Sequence, residues 1–467
     1  MYSIILILPN DNFPNNILNT LEKLSFDIYL LHFGKHSIYE LQKNDKIKYI
    51  FFENNCFGEN INKVIENIKT KYLLFHNINF KLSLDLFEET YDCDLFLCNN
   101  GFPSIKNGIT NNLFYYSFII KTDLFNQLNG FNEHLETSEY VSYEFLYRIN
   151  KLGYFVKKGN KFIEKINTIS NVSYKDKFKM DIIKNINIEQ LINIYKLPKY
   201  ITMIDLGYNG RLGNQLFQYA MLYSLSKLTG RNIILIKNKN HTDEFKENHL
   251  KYFNIKYLFL KDKINFTNFN EINFEYEQNY INDILTSHSN IININGFFQS
   301  FKYFSQYEND LKNIYTLKTE YDIVQNLYKQ ITKNTTLETV AIHVRHGDYI
   351  KYPNYHFILP IDYYKKALDI LDNKFYIICS DNIEWCKKEF NFIHINNVYY
   401  SREKYYIDLI LMSLCNHNII ANSSFSWWSA YLNKNPNKIV ISPKKWFSQD
   451  GPKYNIEDII PASWIKI

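Results

Sequence analysis

The sequence predicts an α/β protein with largely parallel sheets, and two observations predict it. Apolar runs of strand length alternate with amphipathic runs of helix length, the pattern of βαβ units. The polar clusters able to carry chemistry in the second part of the chain each begin where such an apolar run ends. Open α/β sheets bind their ligands at the carboxyl ends of their strands.

Taken in order, Ser3 to Leu8 reads as a strand that stops at Pro9-Asn10-Asp11, Asn16 to Leu24 as a helix, and Ile28 to His32 as a strand. Lys48 to Phe52 is a strand, Glu59 to Lys71 a helix, and Tyr72 to Phe75 a strand. A polar helical stretch from Lys175 to Tyr195 is broken by Lys196-Leu197-Pro198, which sets a boundary between domains at 1–195 and 200–467. The second part opens on a strand, Ile201 to Leu206, and a turn spaced by Gly207, Gly210 and Gly213. The helix Asn214 to Leu228 follows, with Gly230 as its stop. Later strands are Thr339 to Arg345, Phe375 to Cys379, Asn418 to Ala421 and Lys438 to Ser442.

Composition narrows the function. Hydrophobic content of 46% with 22% charged residues fits a folded soluble chain. The net charge of +5 is spread rather than striped, which argues against a nucleic-acid partner. Cys56, Cys93, Cys98, Cys379, Cys386 and Cys415 form no C-x-x-C pair, so neither a zinc site nor a disulfide framework is expected. The apolar run Ile4 to Leu8 is too short for a signal peptide, and no stretch reaches the roughly 20 apolar residues that span a bilayer. A cytoplasmic protein without an anchor is expected.

The turn Gly207–Gly213 has G-x-x-G-x-x-G spacing, which differs from the dinucleotide fingerprint, so NAD is not indicated. Its glycines allow close backbone approach, and Asn214-Gln215 place amides at a helix start; an ordinary tight turn explains the turn equally well. Arg345 is a fixed cation at a strand end whose planar fork suits a diphosphate, while Asp348 either caps the next helix or orients Arg345. His343 lies inside the strand as a core-type histidine, and His346 lies at the turn. Ser380-Asp381 closes the next strand, where the carboxylate caps the helix Asn382 to Glu389 or meets a ribose or base edge. In Asn422-Ser-Ser-Phe-Ser-Trp-Trp428, serines at a helix start attract anions. Trp385, Trp427, Trp428 and Trp446 read as core.

Together these residues resemble the α-1,2-fucosyltransferase family, glycosyltransferase family 11, over about Ile201 to Ile467. Gly210-Arg-Leu-Gly-Asn-Gln-Leu-Phe-Gln-Tyr-Ala220 is similar to the family's first signature and Asn295-Gly-Phe-Phe-Gln-Ser-Phe-Lys-Tyr-Phe304 to an internal one. His343 to Tyr349 is similar to its H-x-R-R-G-D-Y motif, and Ser380 to Trp385, Asn422 to Trp428 and Pro443 to Phe447 to later blocks. The resemblance implies a GT-B fold of two Rossmann-type halves, GDP-fucose as donor, a glycan acceptor, inversion at the sugar carbon, and no required metal or other cofactor. It implies catalytic roles for Arg345, Asp348 and Asn214, with Arg345 on the donor diphosphate and Asp348 as candidate base. It implies donor binding by Gly210, Arg211, Gly213, His343, Ser380, Asp381, Asn422, Ser423, Ser424 and Phe425. The chain departs from the family at His346, which stands where the family has a second arginine.

The first part resembles a GT-A, family 2 glycosyltransferase domain in Asn54 to Asn60, Tyr72 to Phe75, Phe118 to Phe125, Gly130 to Glu133 and Leu146 to Arg148. Where that family carries D-x-D this chain has His76-Asn77-Ile78-Asn79, and its E-D pair corresponds to Val141-Ser142, with Glu144 as a stand-in base. Neutral amides are poor ligands for a divalent cation, so the resemblance implies a degenerate domain. Two other readings compete: a non-catalytic glycan-binding protein built on decayed transferase domains, and a bifunctional enzyme with an active first domain.

Overall fold

The computed structural model describes residues 2–8, 26–33, 47–52, 57–77, 94–97, 118–133, 138–152, 154, 156–158, 188–204, 206, 210–236, 248–255, 258–260, 265–273, 275–452 and 457–467. The expected helix Asn16 to Leu24, Gly207, Ile78-Asn79, and all but the end of the expected helix Lys175 to Tyr195 lie outside these residues. The chain divides into two compact units, Met1–Lys199 with Leu258–Asn265, and Tyr200–Tyr257 with Phe266–Ile467. Among the described residues no helix is long and apolar enough to cross a membrane.

In the first unit, β1 (Tyr2–Leu8), β2 (Asp27–Phe33), β3 (Ile47–Phe52) and β4 (Tyr72–Asn77) run parallel in the order β3-β2-β1-β4. β5 (Leu95–Leu97), β6 (Phe118–Lys121) and β7 (Val156–Lys158) extend the sheet as β4-β6-β5-β7, with β6 antiparallel to both neighbours. The helices are α1 (Phe57–Ile65), α2 (Thr122–Gln127), α3 (Ser138–Lys151) and α4 (Ile188–Ile194). α1 ends six residues before the expected Lys71, because the chain turns at Asn67 and Ile68 to enter β4. Phe75, Phe118, Phe125, Phe131 and Phe145 pack ring on ring at the core. The segment 258–265 holds β10 (Leu258–Leu260).

The second unit contains two parallel sheets. In the first, β8 (Tyr200–Thr202), β9 (Asn232–Ile236), β11 (Thr267–Asn270) and β12 (Ile291–Asn295) lie in the order β9-β8-β12-β11. β8 is shorter than the expected Ile201 to Leu206, since Leu206 N–H donates back to the Met203 carbonyl in a turn. The second comprises β13 (Thr339–Val344), β14 (Phe375–Ser380), β15 (Val398–Tyr400), β16 (His417–Ile419), β17 (Val440–Ser442) and β18 (Ile465–Lys466), in the order β15-β14-β13-β16-β17-β18. β13 is buried along its whole length, as expected of a central parallel strand.

The helices used below are α5 (Leu212–Thr229), α6 (Gln278–Leu285), α7 (Glu308–Ile314), α8 (Tyr321–Thr332), α9 (Ile361–Ile370), α10 (Ile383–Glu389), α11 (Tyr405–Ser413) and α12 (Ser424–Leu432). α5 stops at Gly230, whose φ of 68° is the left-handed conformation that glycine adopts freely. Trp427 and Trp428 are fully buried on α12 and meet Phe217 of α5 with ring centroids 4.6 and 5.0 Å apart. The tandem tryptophans therefore join helices that serve the two sheets.

Candidate active site

The carboxyl ends of β12, β13, β14 and β16 and the start of α5 supply the side chains of the site. Arg345 directly follows β13. Its Nη2 donates to Asp348 Oδ2 at 2.7 Å and its Nη1 lies 3.0 Å from Asp381 Oδ2. The guanidinium carbon sits 5.4 Å from the centroid of the Tyr349 ring. The Arg345 side chain is only 18% exposed, so this cation is held between two carboxylates and a phenol face while part of it still reaches solvent. Arg211, at the start of α5, adds a second cation, with Nη1 3.3 Å from Asp348 Oδ2. Asp348 Oδ1 is buried and has no hydrogen-bond partner among the described residues.

Asp381 does not cap α10. Asn382 does, accepting from Trp385 N–H through its side chain at 3.1 Å. Asp381 Oδ1 instead accepts the N–H groups of His346 and Gly347, each at 2.9 Å. Burial opposes ionisation of Asp381, but Arg345 and these two N–H donors outweigh it and hold the carboxyl below its usual range. A Cβ on Gly347 would stand 2.9 Å from Asp381 Oδ2, so this tight turn needs glycine. Asp348 likewise caps no helix through its side chain, and of its two expected roles it takes that of orienting Arg345.

His343 is buried beside Phe425, with ring centroids 5.3 Å apart, and its Nδ1 has no hydrogen-bond partner among the described residues. Burial and the nearby Arg345 lower its pKa to about 3, against the opposing pull of Asp381, so the imidazole is neutral at working pH. His346 stacks on Trp385 at 4.1 Å, so this tryptophan covers a turn side chain beside the site. The Ser380 hydroxyl accepts Asn382 N–H at 3.0 Å and shapes the same turn. Asn422, expected as a donor-binding residue, also holds its own loop. Its amide donates to the Phe357 and Trp446 carbonyls at 2.9 and 2.7 Å, which pins the loop after β16.

The helix starts of α5 and α12 meet closely. A Cβ on Gly213 would stand 2.4 Å from Phe425 N and 2.6 Å from Ser424 Oγ. Ser424 Oγ donates to Asn214 Oδ1 at 2.6 Å, and Gln299 Nε2 donates to the same oxygen at 3.0 Å. Gly210, at φ 98°, gives the turn before α5 a conformation open to glycine, and a Cβ there would collide with Asn214. Ser423 is the N-cap of α12 without a side-chain cap bond, and the first intrahelical bond runs from Trp427 N–H to its carbonyl. The first turn of α12 therefore presents backbone donors and the positive end of the helix.

Several site residues carry no expected role in the sequence. Gln299 lies in the Asn295–Phe304 motif, whose spacing does not reveal its bond to Asn214. Tyr349 closes the motif of Arg345 and donates to the Asn422 carbonyl at 3.0 Å, with its phenol pushed up to about 12 mainly by burial. Glu271, just after β11, has no motif signal. Its carboxylate accepts Phe297 N–H at 2.7 Å and Phe298 N–H at 3.1 Å. Phe298 is fully buried at φ 51°, a conformation that costs a bulky residue roughly 1–3 kcal/mol. Among the described residues no group of three or more His, Cys, Asp or Glu could hold a metal ion.

Residues 169–467 match the sequence model of Glycosyl transferase family 11. The chain belongs to this family. The match begins 31 residues before Tyr200, the start of the second compact unit. An O-antigen biosynthesis glycosyltransferase of Escherichia coli, WbnK, is 30% identical over 304 residues, 56% of this chain and 98% of that protein. An alpha-1,2-colitosyltransferase of Escherichia coli is 31% identical over 55% of this chain and 96% of its own length. A galactoside 2-alpha-L-fucosyltransferase of Bos taurus is 26% identical over 48% of this chain and 62% of its own length. This family 11 glycosyltransferase thus carries its family signature in the unit that holds Arg345.

Proposed function

We propose that the second unit transfers fucose from GDP-fucose to a glycan hydroxyl with inversion, in α-1,2 linkage to a galactose-type acceptor, on a GT-B-like scaffold of two Rossmann-type halves. Arg345, oriented by Asp348 and Asp381 at a central strand end, is the observation that carries the reading. The two parallel sheets joined by α5 and α12 support the scaffold. The acceptor oxygen attacks the sugar carbon as the bond from that carbon to the diphosphate oxygen breaks. Arg345 and the first turn of α12 then face the negative charge that develops on the leaving GDP. The acceptor proton passes to Asp348, whose Oδ1 has no hydrogen bond among the described residues to give up. His343 Nδ1, buried and without a hydrogen-bond partner among the described residues, is a group for the donor to satisfy.

We further propose that the first unit is a degenerate GT-A-like domain without transfer activity of its own. Its mixed sheet and the helices between its strands support that scaffold. Glu144, the stand-in base, is fully buried in an ion pair with Arg148 at 2.9 and 3.0 Å, and Arg148 also donates to the Leu128 and Gly130 carbonyls. A carboxylate so committed holds structure. Removing one partner of such a pair costs roughly 3–5 kcal/mol.

The test is a panel of nucleotide sugars given to the full-length protein, with nucleotide release as readout. GDP-fucose is expected to be the preferred donor, and release should persist in excess EDTA. Preference for a UDP-sugar, or loss in EDTA restored by manganese, would sink the proposal.

A further inference from the structure

Glu271 and Gly296 stand opposite each other, each just past the end of its strand, because Asn270 of β11 is in register with Asn295 of β12. Both Glu271 oxygens face the turn that follows β12. Oε2 accepts from Phe297 N–H at 2.7 Å and both oxygens accept from Phe298 N–H at 3.1 Å. Glu271 N–H in turn donates to the Asn295 carbonyl at 2.8 Å. The packing is tight, since a Cβ on Gly296 would lie 2.5 Å from the Cβ of Glu271. From the other side, Gln218 of α5 donates to the Gly296 carbonyl at 3.1 Å. The next residue in the turn is Gln299, whose amide reaches Asn214 Oδ1, the same oxygen that Ser424 bonds.

We propose that Glu271 is a positioning residue for transfer, holding the 296–299 turn so that Gln299 fixes Asn214 against the start of α12. The proposal rests on the fucosyltransferase reading given above. Two successive N–H groups on one carboxylate keep Phe298 in its left-handed conformation, and that conformation directs the chain toward Asn214. Among the described residues no ion pair explains the carboxylate: the titratable groups that act on it are Glu277, Tyr280 and Tyr303, none of them a cation. Burial, against the pull of the two N–H donors, raises its pKa to about 7.

The sign of the linkage separates this role from a structural one. A carboxyl whose folded pKa is raised contributes stability below its unfolded pKa, and loses that contribution as pH rises toward about 7. Its charged form therefore costs stability while making the stronger acceptor for the two N–H groups. In the full-length protein, Glu271→Gln should keep or raise the melting temperature at pH 8 yet lower kcat, by up to ~100-fold if Asn214 moves by about 1 Å. The wild-type rate should fall as pH drops through about 7, and the variant should lose that limb. Gln299→Ala should lower kcat similarly, and the double variant should be no worse than the worse single one, as expected for residues acting in series. Additive losses, or wild-type kcat in folded Glu271→Gln, would overturn the assignment. If Glu271→Gln fails to fold, Gln299→Ala with an unchanged kcat would overturn it as well. Absence of GDP release by the wild-type protein would instead overturn the fucosyltransferase reading.

Discussion

Arg345 shows how one cation can be oriented ahead of its task. Asp348 and Asp381 take its two terminal nitrogens, so the fork is fixed before any ligand arrives. Arg345→Ala should lose transfer in a folded protein, costing on the order of 2.7–4 kcal/mol of barrier. Arg345→Lys should recover little, because an ammonium cannot span both carboxylates and a phosphate. Kinetics with GDP-fucose check this, and near-wild-type turnover by the alanine variant would reduce Arg345 to an ion-pair residue. The Arg345–Asp348 pair was legible in the sequence, since three residues of turn keep both side chains within reach. The partner of Asp381 was not. It depends on β13 lying beside β14, with Val344 in register with Ser380, and strand pairing leaves no mark in local spacing. The part Asn422 plays in holding its loop was not legible either, because the carbonyls it bonds belong to residues 357 and 446.

At the scale of elements, the contact between α5 and α12 depends on the absence of one side chain. Gly213→Ala would drive a methyl into the Phe425 backbone nitrogen, an atom that cannot rotate away. The expected result is roughly 1–3 kcal/mol of lost stability, as for other overpacked sites, together with weaker donor use. Thermal unfolding and donor KM measure the two effects, and an alanine variant unchanged in both would show that the helices can part without harm. In the second sheet β13, β14, β16 and β17 were legible from their apolar runs, because buried parallel strands are apolar on both faces, whereas β15 and β18, which are not buried, were missed. Ends were less so: β8 stops at Thr202 and α1 at Ile65, where backbone turns replace regular pairing with no breaker residue to announce them. Trp427 and Trp428 were legible as core, but their role as the joint to Phe217 depends on a contact across about 210 residues of chain.

For the whole molecule, the family match lies in residues 169–467, while Glu144, the stand-in base of the first unit, is committed to an ion pair with Arg148. Residues 200–467 are therefore expected to suffice for GDP-fucose turnover, with a chain from 169 as the comparison, and residues 1–195 should release no nucleotide with manganese. Assays of the separate pieces decide this, and metal-dependent turnover by the first piece would restore the bifunctional reading. Within the second unit, Asn214 Oδ1 receives Gln299, which follows a strand of one sheet, and Ser424, which follows a strand of the other. A jaw that opened widely at this point would have to break both bonds and unstack Phe217 from two tryptophans. If the donor binds as proposed, the two sheets are thus riveted beside it rather than hinged there, and nucleotide exchange would proceed by small movements while the frame stays shut.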